Sequence, residues 1–353
     1  MVLSSMPSIP ENNTSQSRVF LSRSQWLMLA GLSAISLGVY LLISAGTFRI
    51  GLPLDDSYIH QVYGRNLGWY GEWSFLRGQP SAGSTSPLWT VILALGYFLH
   101  VPHLVWAFGC GWLLLTSIAG LGEILYRQWT GRIEGRFPWV GALLAFEWHL
   151  VWAAGSGMET LLSGLLILSV LAWMTRDGGN TLWVGILVGI SIWVRPDGLT
   201  LIAPVVLFTL FRYRKNRFFI EAGKCLAGFL AGVIPYLLLN RFLAGTWMPN
   251  TFYAKQAEYT VLQQIPIWER YWNEFSLSLI GVGALLFPGV VVFGIRAIKN
   301  RNWGFILGIV WWLGYVGLYA IRLPVTYQHG RYMMPLMPIF FVWGAAGTIN
   351  LLQ

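Results

Sequence analysis

Charge is scarce in this sequence. Asp, Glu, Lys and Arg make up 10% of 353 residues, against about 25% in a soluble domain. Apolar residues reach 56% and the mean hydropathy is +0.58. No soluble core hides that much apolar surface, so a soluble globular chain is excluded and lipid is required as solvent. Cysteine is nearly absent. Cys110 and Cys225 lie in separate apolar stretches, which excludes a disulfide framework and a paired metal spacing and reads as two small buried side chains. There is no internal repeat of fixed period, and no polar domain follows the last apolar run, so the chain is expected to end without a soluble C-terminal domain. The run 26–48 is too long for a signal-peptide core and has no small-x-small cleavage site, so it is expected to be retained.

What the sequence does hold is a set of long apolar runs, with 20 Trp suited to membrane interfaces. After a polar tail, 1–25, the runs fall at 26–47, 104–126, 137–153, 160–175, 181–194, 198–212, 218–240, 275–295, 303–321 and 333–351. The expected fold is therefore an all-α integral membrane protein with about ten transmembrane helices, a polytopic domain spanning 26–353. Pro87–Leu99 is too short for a straight span, which needs roughly 20 residues, and reads as an interfacial or re-entrant helix. Charge supports that choice. With ten crossings, one set of loops holds Arg18 and Arg23; Arg127, Arg132 and Arg136; Arg176; Arg212, Arg214, Lys215 and Arg217; and Arg296, Lys299 and Arg301. An excess of Lys and Arg marks the cytoplasmic side, so both termini are expected there. The same pattern explains the net charge of +9 without nucleic acid as a partner.

The other face then receives loops 49–103, 241–274 and 322–332, with junctions near Gly155–Thr160 and Arg195–Gly198. Loops held by a rigid scaffold carry function. The first opens with Asp55 and Asp56, with Asp55 as N-cap and Asp56 in the first turn of a helix through Asn66. Helical spacing puts Asp56, His60 and Tyr63 on one stripe. Such a carboxylate can act as a general base or a metal ligand; the plainer alternative is a solvated cap on the helix dipole. Further on, Gly78–Trp89 is a hydroxyl-rich turn into the short helix. Gly157-Met158-Glu159-Thr160, Arg195-Pro196-Asp197-Gly198, Pro249-Asn250-Thr251-Phe252-Tyr253-Ala254-Lys255 and His329-Gly330-Arg331-Tyr332 all fall at helix ends on that face. Arg195 and Asp197 can simply pair across a proline turn, an exposed pair of little energetic value, and Lys255 and Arg331 can be interfacial anchors; the alternative is that these cations hold a lipid-linked phosphate or diphosphate, for which arginine offers a bidentate fork and lysine a point charge.

Taken in order, Asp55-Asp56-Ser57-Tyr58-Ile59, Tyr63-Gly64-Arg65-Asn66, Ser84-Thr85-Ser86-Pro87-Leu88-Trp89, Gly157-Met158-Glu159-Thr160, Arg195-Pro196-Asp197-Gly198 and Pro249–Lys255 resemble the bacterial membrane glycosyltransferases of the GT-C superfamily. The nearest group is that of the terminal arabinofuranosyltransferases. The resemblance covers about 55–332. It implies a GT-C fold whose first external loop, 49–103, carries two juxtamembrane helices at 55–67 and 87–99. It implies a polyprenyl-phosphate sugar as donor, usually with inversion. The acceptor would be a cell-envelope glycan, lipid or protein, on the external face of a bacterial plasma membrane. Asp55 or Asp56 would deprotonate the acceptor hydroxyl. Arg65, Lys255 and Arg331 would meet the donor phosphate, with Tyr58, His60, Ser84, Thr85, Glu159, Arg195 and His329 as further donor-binding candidates. Some relatives use a divalent metal, Mg or Mn, for which Asp55, Asp56 and His329 offer ligands.

Two other readings compete. A transporter or flippase would place ionisable groups near mid-membrane on broken helices. Glu123, Glu147, His149, Glu221 and Lys224 do fall in or near apolar runs, mostly close enough to an end to snorkel. A non-catalytic assembly protein is the other.

Overall fold

Ser22 and Gln25 form a reciprocal capping box at the start of the first helix: Ser22 Oγ accepts from the Gln25 amide and Gln25 Oε1 from the Ser22 amide. The computed structural model describes residues 19–132, 135–176, 179–213, 215–249, 253–254 and 257–351. The tail 1–18 and Lys255 lie outside them. The described chain is mostly helical. Helix α1 (Arg23–Thr47) leads to α2 (Asp55–Tyr70), a two-stranded antiparallel hairpin of β1 (Ser74–Leu76) and β2 (Gln79–Pro80), α3 (Pro87–Phe98) and α4 (His103–Thr130). Next come α5 (Trp139–Phe146), α6 (Trp148–Gly155), α7 (Thr160–Met174), α8 (Thr181–Val194), α9 (Ile202–Arg212) and α10 (Lys215–Ala244). The last are α11 (Ile267–Ser276), α12 (Val282–Lys299), α13 (Trp303–Arg322) and α14 (Met337–Leu351).

Among the described residues, six helical stretches are long and apolar enough to cross a membrane: Arg23–Thr47, His103–Thr130, Arg217–Ala244, Val282–Lys299, Trp303–Arg322 and Gln328–Ile349. The chain is a multi-pass membrane protein by this measure. The expected count of ten is not reached by length alone, because α7, α8 and α9 have 15, 14 and 11 residues. The run 137–153 is also not one helix. Glu147 adopts an extended backbone (φ −66°, ψ 121°) between α5 and α6. Its Oε2 accepts from the Leu150 amide at 3.1 Å, capping α6, while Oε1 lies 2.7 Å from His149 Nδ1. Glu123 serves α5 in the same way, accepting from the Val140 and Gly141 amides at 2.8 and 3.0 Å. Snorkelling thus describes Lys224, whose side chain is 49% exposed, but not the buried Glu123 and Glu147, which satisfy helix termini, or the buried His149, which pairs with Glu147.

The two short helices after α1 exist where expected, α2 running to Tyr70 and α3 ending at Phe98. Asp55 is not the N-cap. Leu54 takes that place without a side-chain bond, and both aspartates stand in the first turn, at the positive end of the helix dipole. Pro87 occupies the first turn of α3, where a missing N–H costs nothing. The pair closes tightly because Gly68 faces α3: a Cβ there would fall 2.5 Å from the Ala94 carbonyl. The same device joins α8 to α10, where a Cβ on Gly228 would meet the Leu182 carbonyl at 2.3 Å. The final helical stretch is the central rod of the bundle: 89% of its most apolar window is buried, against 22% for α1.

Candidate active site

At one end of the bundle a cavity of about 470 Å³ opens between the start of α2, the turn before α3, the link before α7, the 3-10 turn Pro196–Leu201 after α8, and the end of α13. Its charged wall residues are Asp56, Glu159, Asp197, Arg195, Arg322 and Arg331; its apolar wall includes Met158, Leu199, Met248, Leu318 and Leu323.

Arg331 arrives through a strained approach. Gln328, His329 and Gly330 have φ of 58°, 59° and 67°, three left-handed residues in succession, a conformation costly for the two that are not glycine. Gly330 also packs on Leu277, where a Cβ would fall 2.7 Å from Cδ1. The chain emerges with Arg331 buried at 4% exposure and its Nη2 donating to Asp56 Oδ2 at 2.6 Å and to the Tyr332 hydroxyl at 3.0 Å. Arg331 Nε and Nη1 are buried without a hydrogen-bond partner. Burying a charge whose donors are unmet is expensive, and these two nitrogens are the unmet donors of a residue that lines the cavity.

The second cluster centres on Arg195. Its Nε lies 3.2 Å from Asp197 Oδ2, its Nη2 donates to the Tyr319 hydroxyl at 2.8 Å, and its ring-facing side lies over Tyr332. Tyr315 donates to Asp197 Oδ2 at 2.5 Å, and Tyr319 donates to the same oxygen. Burial opposes the Arg195 charge, but Asp197, the two tyrosines and Glu159 hold its pKa well above the ordinary arginine value. The pair, with Arg195 buried and Asp197 half-buried at the cavity wall, is therefore networked, unlike the exposed pair weighed from the sequence, and removing one member would strand a charge.

Glu159 links this cluster to α2. Its Oε1 is 3.6 Å from Arg195 Nη1 and its Oε2 is 3.5 Å from His60 Nε2. Both are ion-pair separations, too long for good hydrogen bonds, and Oε2 has no hydrogen-bond partner. His60 is in turn held by Ser84 Oγ at 3.1 Å, and Ser84 by Thr90 at 2.8 Å.

Of the residues expected at the site, Asp56, Thr85, Glu159, Arg195 and Arg331 line the cavity. His60 and Ser84 are buried behind it. Asp55 is exposed and off the wall, with Oδ1 accepting from the Asp56 amide at 2.9 Å; adjacent residues on a helix point about 100° apart. Tyr58 is 47% exposed and accepts from the Leu52 amide. Arg65 forks onto Asn66 Oδ1, nine residues along α2 and so about 14 Å from Asp56 at 1.5 Å per residue. His329 packs its ring against Trp148 and Trp152. Lys255 lies outside the described residues. The sequence reading missed Tyr315, Tyr319 and Arg322. Their i, i+4, i+7 spacing near the end of an apolar run was the available signal.

Among the described residues no group of three His, Cys, Asp or Glu side chains could hold a metal ion, and Asp56, the acid of the expected set that lines the cavity, is paired with Arg331.

No protein-family model matches the sequence, and no curated protein is significantly similar to it. A solved structure is similar to it: ArnT from Cupriavidus metallidurans, bound to undecaprenyl phosphate. The TM-score is 0.63 and the sequence identity 15%, over 92% of this chain and 60% of ArnT. The chain thus spans less than two thirds of ArnT's length. At that identity the likeness speaks for the architecture alone: this chain shares the fold of that ArnT structure.

Proposed function

We propose that the chain is a membrane glycosyltransferase moving a pentosyl or hexosyl group from a polyprenyl phosphate to a hydroxyl of a cell-envelope glycan, lipid or protein. The observation that carries the reading is the Asp56–Arg331 pair on the cavity wall, in which Arg331 Nε and Nη1 have no hydrogen-bond partner of their own. The shared fold with a protein solved bound to undecaprenyl phosphate supports it. The cavity lies at one end of the membrane helices, where a lipid phosphate stands at headgroup depth while its chain stays in hydrocarbon.

In this mechanism Asp56 takes the proton from the acceptor hydroxyl as its oxygen attacks the anomeric carbon. The bond from that carbon to the phosphate oxygen breaks, and its electron pair leaves with the polyprenyl phosphate. Charge gathering on the phosphate is met by Arg331, which Asp56 and Tyr332 hold in place before the reaction begins, and by the exposed Arg322 on the same wall. Arg331 orients the Asp56 carboxylate, and direct displacement inverts the anomeric centre. Glu159 Oε2 accepts from a sugar hydroxyl. The network of Arg195, Asp197, Tyr315 and Tyr319 holds the opposite wall. The reaction runs on the external face of a bacterial plasma membrane, with both termini cytoplasmic and α2 and α3 lying along the surface.

The test is release of polyprenyl phosphate from a panel of polyprenyl-phosphate sugars by the purified protein. Asp56→Asn is expected to lower turnover by about 10²-fold or more with normal membrane insertion. Full turnover in that variant overturns the assignment. One observation favours a second reading: the buried Glu147–His149 pair at the break between α5 and α6 is the broken-helix ionisable site a transporter or flippase would need. Proton-coupled uptake into liposomes that vanishes in Glu147→Gln would support it.

A further inference from the structure

A second cavity, of about 280 Å³, lies at the other end of the same helices. The first cavity sits before α7, before α9 and at the end of α13; the second is lined by the ends of α7 and α9 and the start of α13. Helix α13 has 20 residues, about 30 Å at 1.5 Å each, which is the thickness of a bilayer's hydrocarbon core. The two cavities therefore open at opposite membrane surfaces.

Three arginines from three separate segments meet there: Arg176, Arg212 and Arg301. Arg212 Nη1 donates to the Arg176 carbonyl at 2.5 Å, and its guanidinium rests over Phe208 at 5.5 Å. Arg301 is held at φ 51°, left-handed for a residue with a side chain. Its turn is fixed by Gly304, where a Cβ would fall 2.3 Å from the Met174 carbonyl. No carboxylate among the described residues lines the cavity; Asp177, next in sequence to Arg176, lies outside them. At the mouth Phe211 and Trp303 stack face to face, with centroids 4.3 Å apart and planes 7° apart, and are 49% and 42% exposed.

We propose that this cavity binds the phosphate of an anionic phospholipid in the leaflet opposite the Asp56 cavity. Loop arginines satisfy the positive-inside pattern wherever they stand; that rule does not gather three of them around one concave site floored by packed helix ends. Guanidinium groups match phosphate oxygens in geometry as well as charge. Basic pockets between membrane helices at the headgroup level are suited to such lipids. The exposed aromatic pair offers an apolar, interfacial surface for the glycerol and first methylenes, which a free phosphate would not use. The site is independent of the transferase reading.

The experiment is native mass spectrometry of the full chain in mild detergent. It is offered phosphatidylglycerol and phosphatidylcholine with the same acyl chains, with inorganic phosphate as a separate probe. The wild type is expected to retain one phosphatidylglycerol in preference to phosphatidylcholine. Each arginine contributes about fivefold to that preference, so R176Q/R212Q/R301Q loses nearly all of it. R301Q, at an exposed position, loses about fivefold and keeps the test decisive if the triple variant fails to fold. An undiminished preference in R301Q and the triple variant overturns the proposal. So does displacement of the lipid by equimolar inorganic phosphate, which would make free phosphate the ligand.

Discussion

Glu274 offers the sharpest test of the packing described above. It lies on α11, is 0% exposed, and neither carboxylate oxygen has a hydrogen-bond partner. Desolvation raises its pKa from 4.5 to about 8, because the charged form has lost water and gained no partner. A carboxyl whose folded pKa is raised holds its proton more tightly in the folded state. Its contribution to stability is fully present below the unfolded pKa and is lost as pH rises through about 8. At about 1.4 kcal/mol per pH unit, the whole span is worth on the order of 5 kcal/mol, of which about 3 kcal/mol is lost between pH 5 and pH 7. Glu274→Gln keeps the shape and removes the titration. Unfolding of both proteins in mild detergent, followed by circular dichroism from pH 5 to pH 9, should show the glutamine variant gaining on the wild type up to pH 8. It should then hold a constant lead. A difference between the two that stays flat from pH 5 to pH 8 would refute the burial of an uncompensated carboxyl at this position.

Three other outcomes follow from the geometry. Asp55→Asn should keep turnover within about threefold of wild type while Asp56→Asn loses it, since only Asp56 faces the cavity; equal losses in a polyprenyl-phosphate release assay would contradict this. Arg331→Lys should lower turnover about tenfold or more, because a point charge cannot hold Asp56 and reach a phosphate through the fork; the same assay reads it. Gly228→Leu should destabilise the chain by about 1–3 kcal/mol by forcing α10 from α8, since a Cβ already meets the Leu182 carbonyl at 2.3 Å. Gly223→Ala on the same helix, where a Cβ meets nothing within 4 Å, should be neutral or stabilising by up to about 1 kcal/mol in thermal unfolding.

Much of the site was legible because composition and helix ends are local properties. The apolar runs bring Asp56, Thr85, Glu159, Arg195 and Arg331 to one end of the bundle, and they do meet at one cavity. The short helix from Pro87 could be read from its length and its proline. The division between Asp55 and Asp56 could not be read, since either is acceptable in a first turn and only the packing of α2 on its neighbours sets which side faces inward. Glu147 was read as a residue near a helix end, whereas it makes the end, because a buried carboxylate that caps Leu150 is more stable than one left in an unbroken apolar helix. Tyr315 and Tyr319 carry no local sign of their partner, because Asp197, which accepts from both hydroxyls, stands over a hundred residues earlier.

The sequence by itself determined that this chain lives in a bilayer, which segments are apolar, and which polar residues gather at which helix ends, because hydrophobic transfer and helix periodicity act on neighbours along the chain. Only the tertiary structure decided which of those polar residues share a cavity and which are paired, capped or turned away. Helix rotation and long-range contacts fix the direction of each side chain, and no local pattern encodes them.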